Sequence, residues 1–164
     1  KADLKTFSAE NYSGVIGGSL EGVLKGIEAV HAGGFWLEIV TLFIPGFNDS
    51  RKEMEEIAGY IAGLSRDIPW HVTAFHPAYR MTDRGATPAS TLLAACEAGA
   101  EKGLKYVYAG NIPEAGRQDT LCAGCGAVLV RRRGFSVLED RIEVSAEGRG
   151  SCPDCREAVP GLWK

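Results

Sequence analysis

Two Cys-x-x-Cys pairs constrain this chain more than any other feature of its sequence. Cys122-Ala123-Gly124-Cys125-Gly126 and Cys152-Pro153-Asp154-Cys155 are separated by 26 residues. Each pair sets two soft thiolates on one tight turn. Two such turns can close a tetrahedron of sulfur around a single ion, the geometry of structural zinc. Between them, Ala127 to Arg132 and Ser136 to Val144 are β-like stretches joined through Gly134. The pattern predicts a C-terminal four-cysteine zinc ribbon with Cys122, Cys125, Cys152 and Cys155 as ligands. A closed four-sulfur site has no open position, so the ion is expected to be structural and not catalytic.

The fifth cysteine, Cys96, stands alone in an apolar helical stripe. Paired cysteines in a chain that is otherwise α/β point to metal in a reducing compartment, and so to the cytoplasm, over a disulfide framework. A formal net charge of -3 supplies no basic field for nucleic acid. Arg131-Arg132-Arg133 is the one basic cluster, and without interleaved aromatic platforms it reads as a solvated strand face. No apolar run reaches the roughly 18 residues of a membrane span. The opening Lys1-Ala2-Asp3-Leu4-Lys5 has neither initiator Met nor signal pattern and reads as cut from something longer.

The first 110 or so residues alternate between two hydrophobic periods. Leu20, Val23, Leu24, Ile27 and Val30 predict an amphipathic helix over about 18–32, ended by Gly33-Gly34. Phe35 to Ile44 is almost wholly apolar, as for a strand covered on both faces. Ser50-Arg51-Lys52-Glu53 has the form of a capping box, followed by Met54, Ile57, Ala58, Ile61 and Leu64 on one helical face. Trp70 to Phe75 is the next strand. Thr87-Pro88 predicts an N-cap with proline in the first turn of a helix striped by Leu92, Leu93, Cys96 and Ala100. Lys105 to Ala109 is a short closing strand. Such alternation predicts parallel strands joined by right-handed crossovers, in an open doubly wound sheet or part of a (β/α) barrel. In both, ligands gather at the carboxyl ends of the strands. The linker Gly116-Arg117-Gln118-Asp119 divides an α/β region, residues 1–115, from a zinc-ribbon-like module, residues 116–164.

Asp3-Leu4-Lys5, Phe35-Trp36-Leu37-Glu38-Ile39-Val40-Thr41, Ile44-Pro45-Gly46-x-Asn48-Asp49 and Phe75-His76-Pro77 resemble the later barrel strands of pyruvate formate-lyase activating enzymes. The tail combines Cys-x-x-Cys-Gly, Arg131-Arg132-Arg133-Gly134-Phe135, Cys152-Pro-Asp-Cys155 and Pro160-Gly161-Leu162-Trp163. It resembles the radical enzyme of the AmmeMemoRadiSam system. The likeness covers essentially all of this chain but only about the second half of such an enzyme. It implies a partial (β/α) barrel with parallel strands, belonging to a radical S-adenosylmethionine enzyme. In that family a [4Fe–4S] cluster and S-adenosylmethionine generate a 5′-deoxyadenosyl radical that abstracts hydrogen from substrate. The implied partners are an electron donor such as flavodoxin or ferredoxin, and a protein substrate, a glycyl-radical enzyme or another. The family's Cys-x-x-x-Cys-x-x-Cys loop and its glycine-rich segment are absent from these residues, so this stretch alone is expected to be inactive. Arg156 also departs from the pattern, standing where the second knuckle usually has glycine.

The resemblance carries few positions over. Asp3 and Lys5 match an Asp-x-Lys at a strand end. The lysine there can neutralise the cofactor carboxylate, and the aspartate can position polar groups or a monovalent cation. Val40 matches a position that packs on adenine. Glu38 shares its strand face, where the activating enzymes often have a basic residue, so a location carries over without a role. His76 matches a histidine close to the cofactor ribose or methionine. Each has a plainer reading: a surface ion pair for Asp3 and Lys5, core for Val40, a solvated loop histidine for His76. His71 reads as structural, His31 as a helix-end cation, and Asn48-Asp49 as a turn and cap. Two other functions remain: a zinc-stabilised α/β interaction module without radical chemistry, and an independent α/β enzyme using His76, Asp3 and Lys5.

Overall fold

The computed structural model describes residues 1–112, 117–134 and 136–163. Gly116 and Phe135, which figure in the sequence patterns above, lie outside the described residues. The chain divides into two compact units, Lys1–Glu114 and Ala115–Lys164.

The first unit holds β1 (Ala2–Asp3), β2 (Ile39–Phe43), β3 (Trp70–Ala74) and β4 (Val107–Gly110), all parallel, in the spatial order β1-β2-β3-β4. Every strand is added on the same side as the one before. With crossovers of one hand, that puts every connecting helix on one face, whereas a doubly wound sheet reverses direction part-way. The burial pattern agrees. Ile39, Thr41, Phe43, Trp70, Val72 and Ala74 are buried, while Val40, Leu42, His71 and Thr73 between them are half-buried. Onto the buried face pack Ile27 of α2 (Leu20–Ala32), Met54, Ile57 and Ile61 of α3 (Arg51–Leu64), and Leu92 and Ala95 of α4 (Ala89–Glu101). α1 (Ala9–Asn11) is a short turn running into a π-turn at Tyr12–Ile16. The sheet is thus a singly wound, open piece of a (β/α) barrel. The expectation that Phe35 to Ile44 is covered on both faces is overturned: five residues enter the ladder, and only alternate ones meet the helices.

Caps follow the sequence with two exceptions. Ser50 accepts the Glu53 N–H at 3.2 Å, but the Glu53 carboxylate does not return to complete the box. It accepts from Phe7 N–H at 2.8 Å and from the Thr6 hydroxyl. Thr87 is not the cap of α4; Pro88 occupies that position with no side-chain hydrogen bond. Thr87 is buried, accepting the Phe75 N–H at 3.0 Å and donating to the Phe43 carbonyl at 2.6 Å. Both groups lie at strand ends, and a non-local demand for partners overrides the local capping preference.

The second unit contains two antiparallel three-stranded sheets. One has β5 (Thr120–Leu121), β6 (Val128–Arg133) and β7 (Ser136–Asp140) in the order β5-β6-β7; the other has β8 (Glu143–Val144), β9 (Gly150–Ser151) and β10 (Ala158–Val159) in the order β10-β9-β8. Ser136 to Val144 is therefore not one strand. Asp140 accepts the Ile142 N–H at 3.0 Å, closing a local turn, and Arg141 N–H donates to Leu129 at 2.8 Å. That turn sends Ile142 into the small core formed by Cys122, Leu129, Val130, Cys152 and Val159. Among the described residues no helix is long and apolar enough to cross a membrane.

Candidate functional site

Two places concentrate chemistry: the uncovered face of the parallel sheet with its carboxyl edge, and the cysteine knuckles. At the end of β1 the main chain of Lys5 is held from two directions. Its N–H donates to the Tyr12 hydroxyl at 3.0 Å, and its carbonyl accepts from Asn48 Nδ2 at 2.6 Å. Asn48 is 1% exposed; it also donates to the Leu42 carbonyl at 2.8 Å and accepts the Ile44 N–H at 2.7 Å. This buried amide ties β1 to the turn after β2. The Lys5 ammonium lies 3.4 Å from the Asp3 carboxylate, with both side chains in contact with solvent. Tyr12 is buried, which raises its phenol pKa and keeps it a neutral donor.

Register places Asp3 beside Val40, Val40 beside His71, and His71 beside Tyr108. Glu38 precedes β2 on the same face. One of its carboxylate oxygens accepts the Trp36 indole N–H at 3.0 Å, and the other lies 2.9 Å from His71 Nε2. The His71 hydrogen bond chiefly holds the Glu38 carboxyl down at about 2, against the opposing effect of burial. At the carboxyl edge, exposed His76 lies 3.2 Å through Nε2 from the Asn111 carbonyl. Asn111 takes a left-handed backbone, φ 61°, and donates to the Ala74 carbonyl at 3.4 Å. Asp49 accepts the Gly46 N–H at 2.9 Å. The Asn48-Asp49 pair serves the turn, while the cap of α3 is Ser50.

The structure thus sets Asp3 and Lys5 together and puts Val40 in register with Asp3. Glu38 is engaged with His71 and Trp36, and His76 with Asn111. Sequence reasoning passed over Tyr12 and the full role of Asn48, whose partners are 7 and 43 residues away from them respectively, at Lys5. It also read His71 as structural. Period-two alternation puts Glu38 and Val40 on one face, but only the β2–β3 register brings His71 to that row.

In the second unit each knuckle is the turn of a hairpin. Cys122 N–H donates to Ala127 at 2.8 Å and Gly126 N–H to Cys122 at 2.9 Å; Cys152 N–H donates to Glu157 at 2.9 Å and Arg156 N–H to Cys152 at 3.0 Å. The fifth position of each knuckle is left-handed, with φ 75° at Gly126 and 65° at Arg156. The four sulfurs lie within 4.8 Å of one another, with Cys122 to Cys155 at 3.5 Å and Cys125 to Cys152 at 3.8 Å. A tetrahedron with metal–sulfur bonds of about 2.3 Å has edges of about 3.8 Å, so the set fits one tetrahedral ion. Burial opposes ionisation of Cys122, but the N–H groups of Cys125 and Gly124 and the neighbouring thiols outweigh it and bring its pKa to about 7. Cys155 receives an N–H from Glu157, yet the other thiols push it up to about 12. Four thiolates this close need a cation to balance them. This is a metal-binding site, and among the described residues no other group of three or more His, Cys, Asp or Glu side chains gathers.

Arg131 and Arg132 have partners within the ribbon. Arg132 N–H donates to Asp119 at 2.7 Å and its guanidinium to Thr120 at 2.7 Å, while Arg131 lies 3.5 Å from Glu139.

No family model matches the sequence. An uncharacterized protein of Methanocaldococcus jannaschii, MJ0808, is 34% identical over 153 residues, 93% of this chain but 45% of that protein. The chain spans about half the length of that relative. The benzylsuccinate synthase activating enzyme of Thauera aromatica is 39% identical over 59 residues, 36% of this chain and 18% of that enzyme. A domain of pyruvate-formate lyase-activating enzyme from Bacteroides vulgatus superposes with a TM-score of 0.58 at 20% identity, over 66% of this chain and 65% of that one. That last likeness is one of fold.

Proposed function

We propose that this chain is the C-terminal part of a radical S-adenosylmethionine enzyme, in which the uncovered sheet face forms one wall of the cofactor pocket and the ribbon holds structural zinc. The observation that carries the reading is the sequential parallel order β1-β2-β3-β4 with its helices on one face. It leaves a face bearing Asp3, Lys5 and Val40 turned toward what is the interior in a (β/α) barrel. The fold shared with an activating-enzyme domain and the partial match to an activating enzyme support the same reading.

When bound, an iron–sulfur cluster with S-adenosylmethionine would supply radical chemistry for hydrogen abstraction from a substrate. The chain's own residues bind and orient. Lys5, on a backbone clamped by Tyr12 and Asn48, meets the methionine carboxylate, and Asp3 keeps the ammonium aimed while offering an oxygen to a polar group or a monovalent cation. Val40 packs on the adenine, Glu38 lines the same face, and His76 stands at the carboxyl edge near the ribose. The four ribbon thiols form a set that fits one ion, so the cluster ligands belong to the remainder of the full-length protein, and this stretch by itself is inactive. The substrate is a protein, a glycyl-radical enzyme or another, and the electron donor a flavodoxin or ferredoxin in the cytoplasm.

The test is anaerobic reconstitution of the full-length protein. Four irons, four sulfides and one zinc per chain, with S-adenosylmethionine cleaved on reduction, support the reading. Zinc alone, with no cluster taken up, favours the second one: a zinc-stabilised α/β interaction module, for which the closed four-sulfur site is the specific observation.

A further inference from the structure

We propose that His71, held by Glu38, reads the nucleoside of the cofactor, accepting a hydrogen bond at Nδ1 from the exocyclic amino group of adenine. The assignment rests on the cofactor reading above and adds to it a residue that the motifs do not mark.

With the His71 ring neutral, the geometry fixes its tautomer. Glu38 accepts from Trp36, which can only donate, through one oxygen, and faces His71 Nε2 at 2.9 Å through the other. A carboxylate accepts, so Nε2 carries the hydrogen. A neutral imidazole has one N–H and one lone pair, and the lone pair is then on Nδ1. Among the described residues no hydrogen bond engages that nitrogen. The ring is also braced from the next strand, where Tyr108 lies 5.2 Å away between ring centroids. His71 is therefore oriented on two sides and retains 33% side-chain exposure.

Position does the rest. His71 is the direct register partner of Val40, which is the partner of Asp3, so an acceptor stands beside an apolar side chain on the row that also carries a carboxylate. A purine needs both things at once: flat apolar contact for its ring, and a polar group that distinguishes its edge. Adenine's edge bears an amino donor, and a neutral imidazole accepting at Nδ1 selects it over a ring with a carbonyl there. Lys5, two residues past β1, supplies charge for the far end of the same ligand.

The test uses full-length protein with its cluster reconstituted, and equilibrium binding of S-adenosylhomocysteine and of S-inosylhomocysteine, which has a carbonyl in place of the amino group. The native protein prefers the adenosyl compound by about tenfold or more, the loss expected for one good hydrogen bond replaced by two opposed acceptors. His71→Ala brings the two affinities within about twofold by weakening only the adenosyl compound. His71→Asn, whose amide oxygen restores an acceptor, recovers part of the preference. Glu38→Gln, which frees the tautomer while keeping the imidazole, gives an intermediate value and decides the matter if His71→Ala fails to fold. A full native preference in His71→Ala, or in Glu38→Gln where that variant decides, overturns the assignment and leaves the cofactor reading standing. Failure of the native protein to bind either compound overturns both.

Discussion

The two units of this chain solve the same problem with very different means. Lys1–Glu114 buries a large contiguous core, including Leu4, Ile27, Phe43, Ile57, Ile61, Trp70, Val72 and Leu92. Among the described residues, the apolar core of Ala115–Lys164 has five buried members, two of which are Cys122 and Cys152 of the metal-binding site. Below roughly 70–80 residues a single apolar core seldom offsets the entropy of ordering by much, and a metal or disulfide supplies the difference. The larger unit can place polar side chains such as Asn48 and Thr41 at its centre because its core tolerates them when every hydrogen bond is met. In the ribbon the polar groups at the centre are the ligands themselves. Stability is distributed in one unit and concentrated in a single site in the other.

The strongest way to break this contrast is to remove the metal. Chelation, or Cys152→Ser at a buried ligand, is expected to release about one zinc per chain and abolish protection in residues 117–163, since structural zinc carries ~10–16 kcal/mol of apparent binding free energy. Hydrogen exchange read separately over the two units checks it; protection retained in the ribbon without metal would end the comparison. Next in size is Asn48→Ala, which strands the Ile44 N–H and the Lys5 and Leu42 carbonyls. A loss of about 3 kcal/mol in the first unit is expected, with zinc content unchanged, measurable by urea unfolding. In the ribbon, Gly150→Ala is expected to cost about 1–3 kcal/mol. A Cβ there would approach the Trp163 indole to 2.4 Å, and that indole donates to Val159 at 2.8 Å over the small core. Thermal unfolding of the zinc-loaded protein reads it.

Two smaller effects sharpen the picture. Arg156→Gly relieves a left-handed residue with φ 65° at the cost of an exposed ion pair to Glu143. A net gain of about 1 kcal/mol in the metal-loaded ribbon is expected, visible as a raised unfolding midpoint. In the first unit, Glu38 has its folded pKa lowered to about 2 by His71, then by Trp36. Its contribution is therefore fully present above the ordinary carboxyl value of about 4.3 and is lost as pH falls from there toward 2. Carboxyl carbon NMR should show Glu38 titrating near 2, and Glu38→Gln should flatten the acid limb of the first unit's stability; a carboxyl titrating above 4 would contradict the clamp.

Much of this was legible in residue order, and the misses have a common cause. The Cys-x-x-Cys spacings, the helical stripe of Met54, Ile57, Ala58 and Ile61, and the Ser50 cap are local patterns, and each appears where its period predicts. Thr87 reads as a cap from its neighbours in sequence, but its partners are distant: Phe43 at the end of β2 and Phe75 just past β3. The single long strand expected after Gly134 was misread because a short Asp140–Ile142 turn diverts it. The Pro160-Gly161-Leu162-Trp163 tail was legible as a motif, but its purpose was not: Gly161 and Gly150 both make room for the Trp163 ring.

What residue order determined alone was composition of the pieces: an alternating α/β region, a four-sulfur metal site, and the elements on which Asp3, Lys5, Val40 and His76 ride. What only the tertiary structure decided was which pieces meet. The same alternation serves a doubly wound sheet or a barrel segment, and the choice came from the order in which strands lie side by side. The clamp on Lys5 and the pairing of Glu38 with His71 have the same origin. Periodicity reports which face of an element is apolar, while inter-strand register, set by packing across tens of residues, assigns each polar side chain its partner.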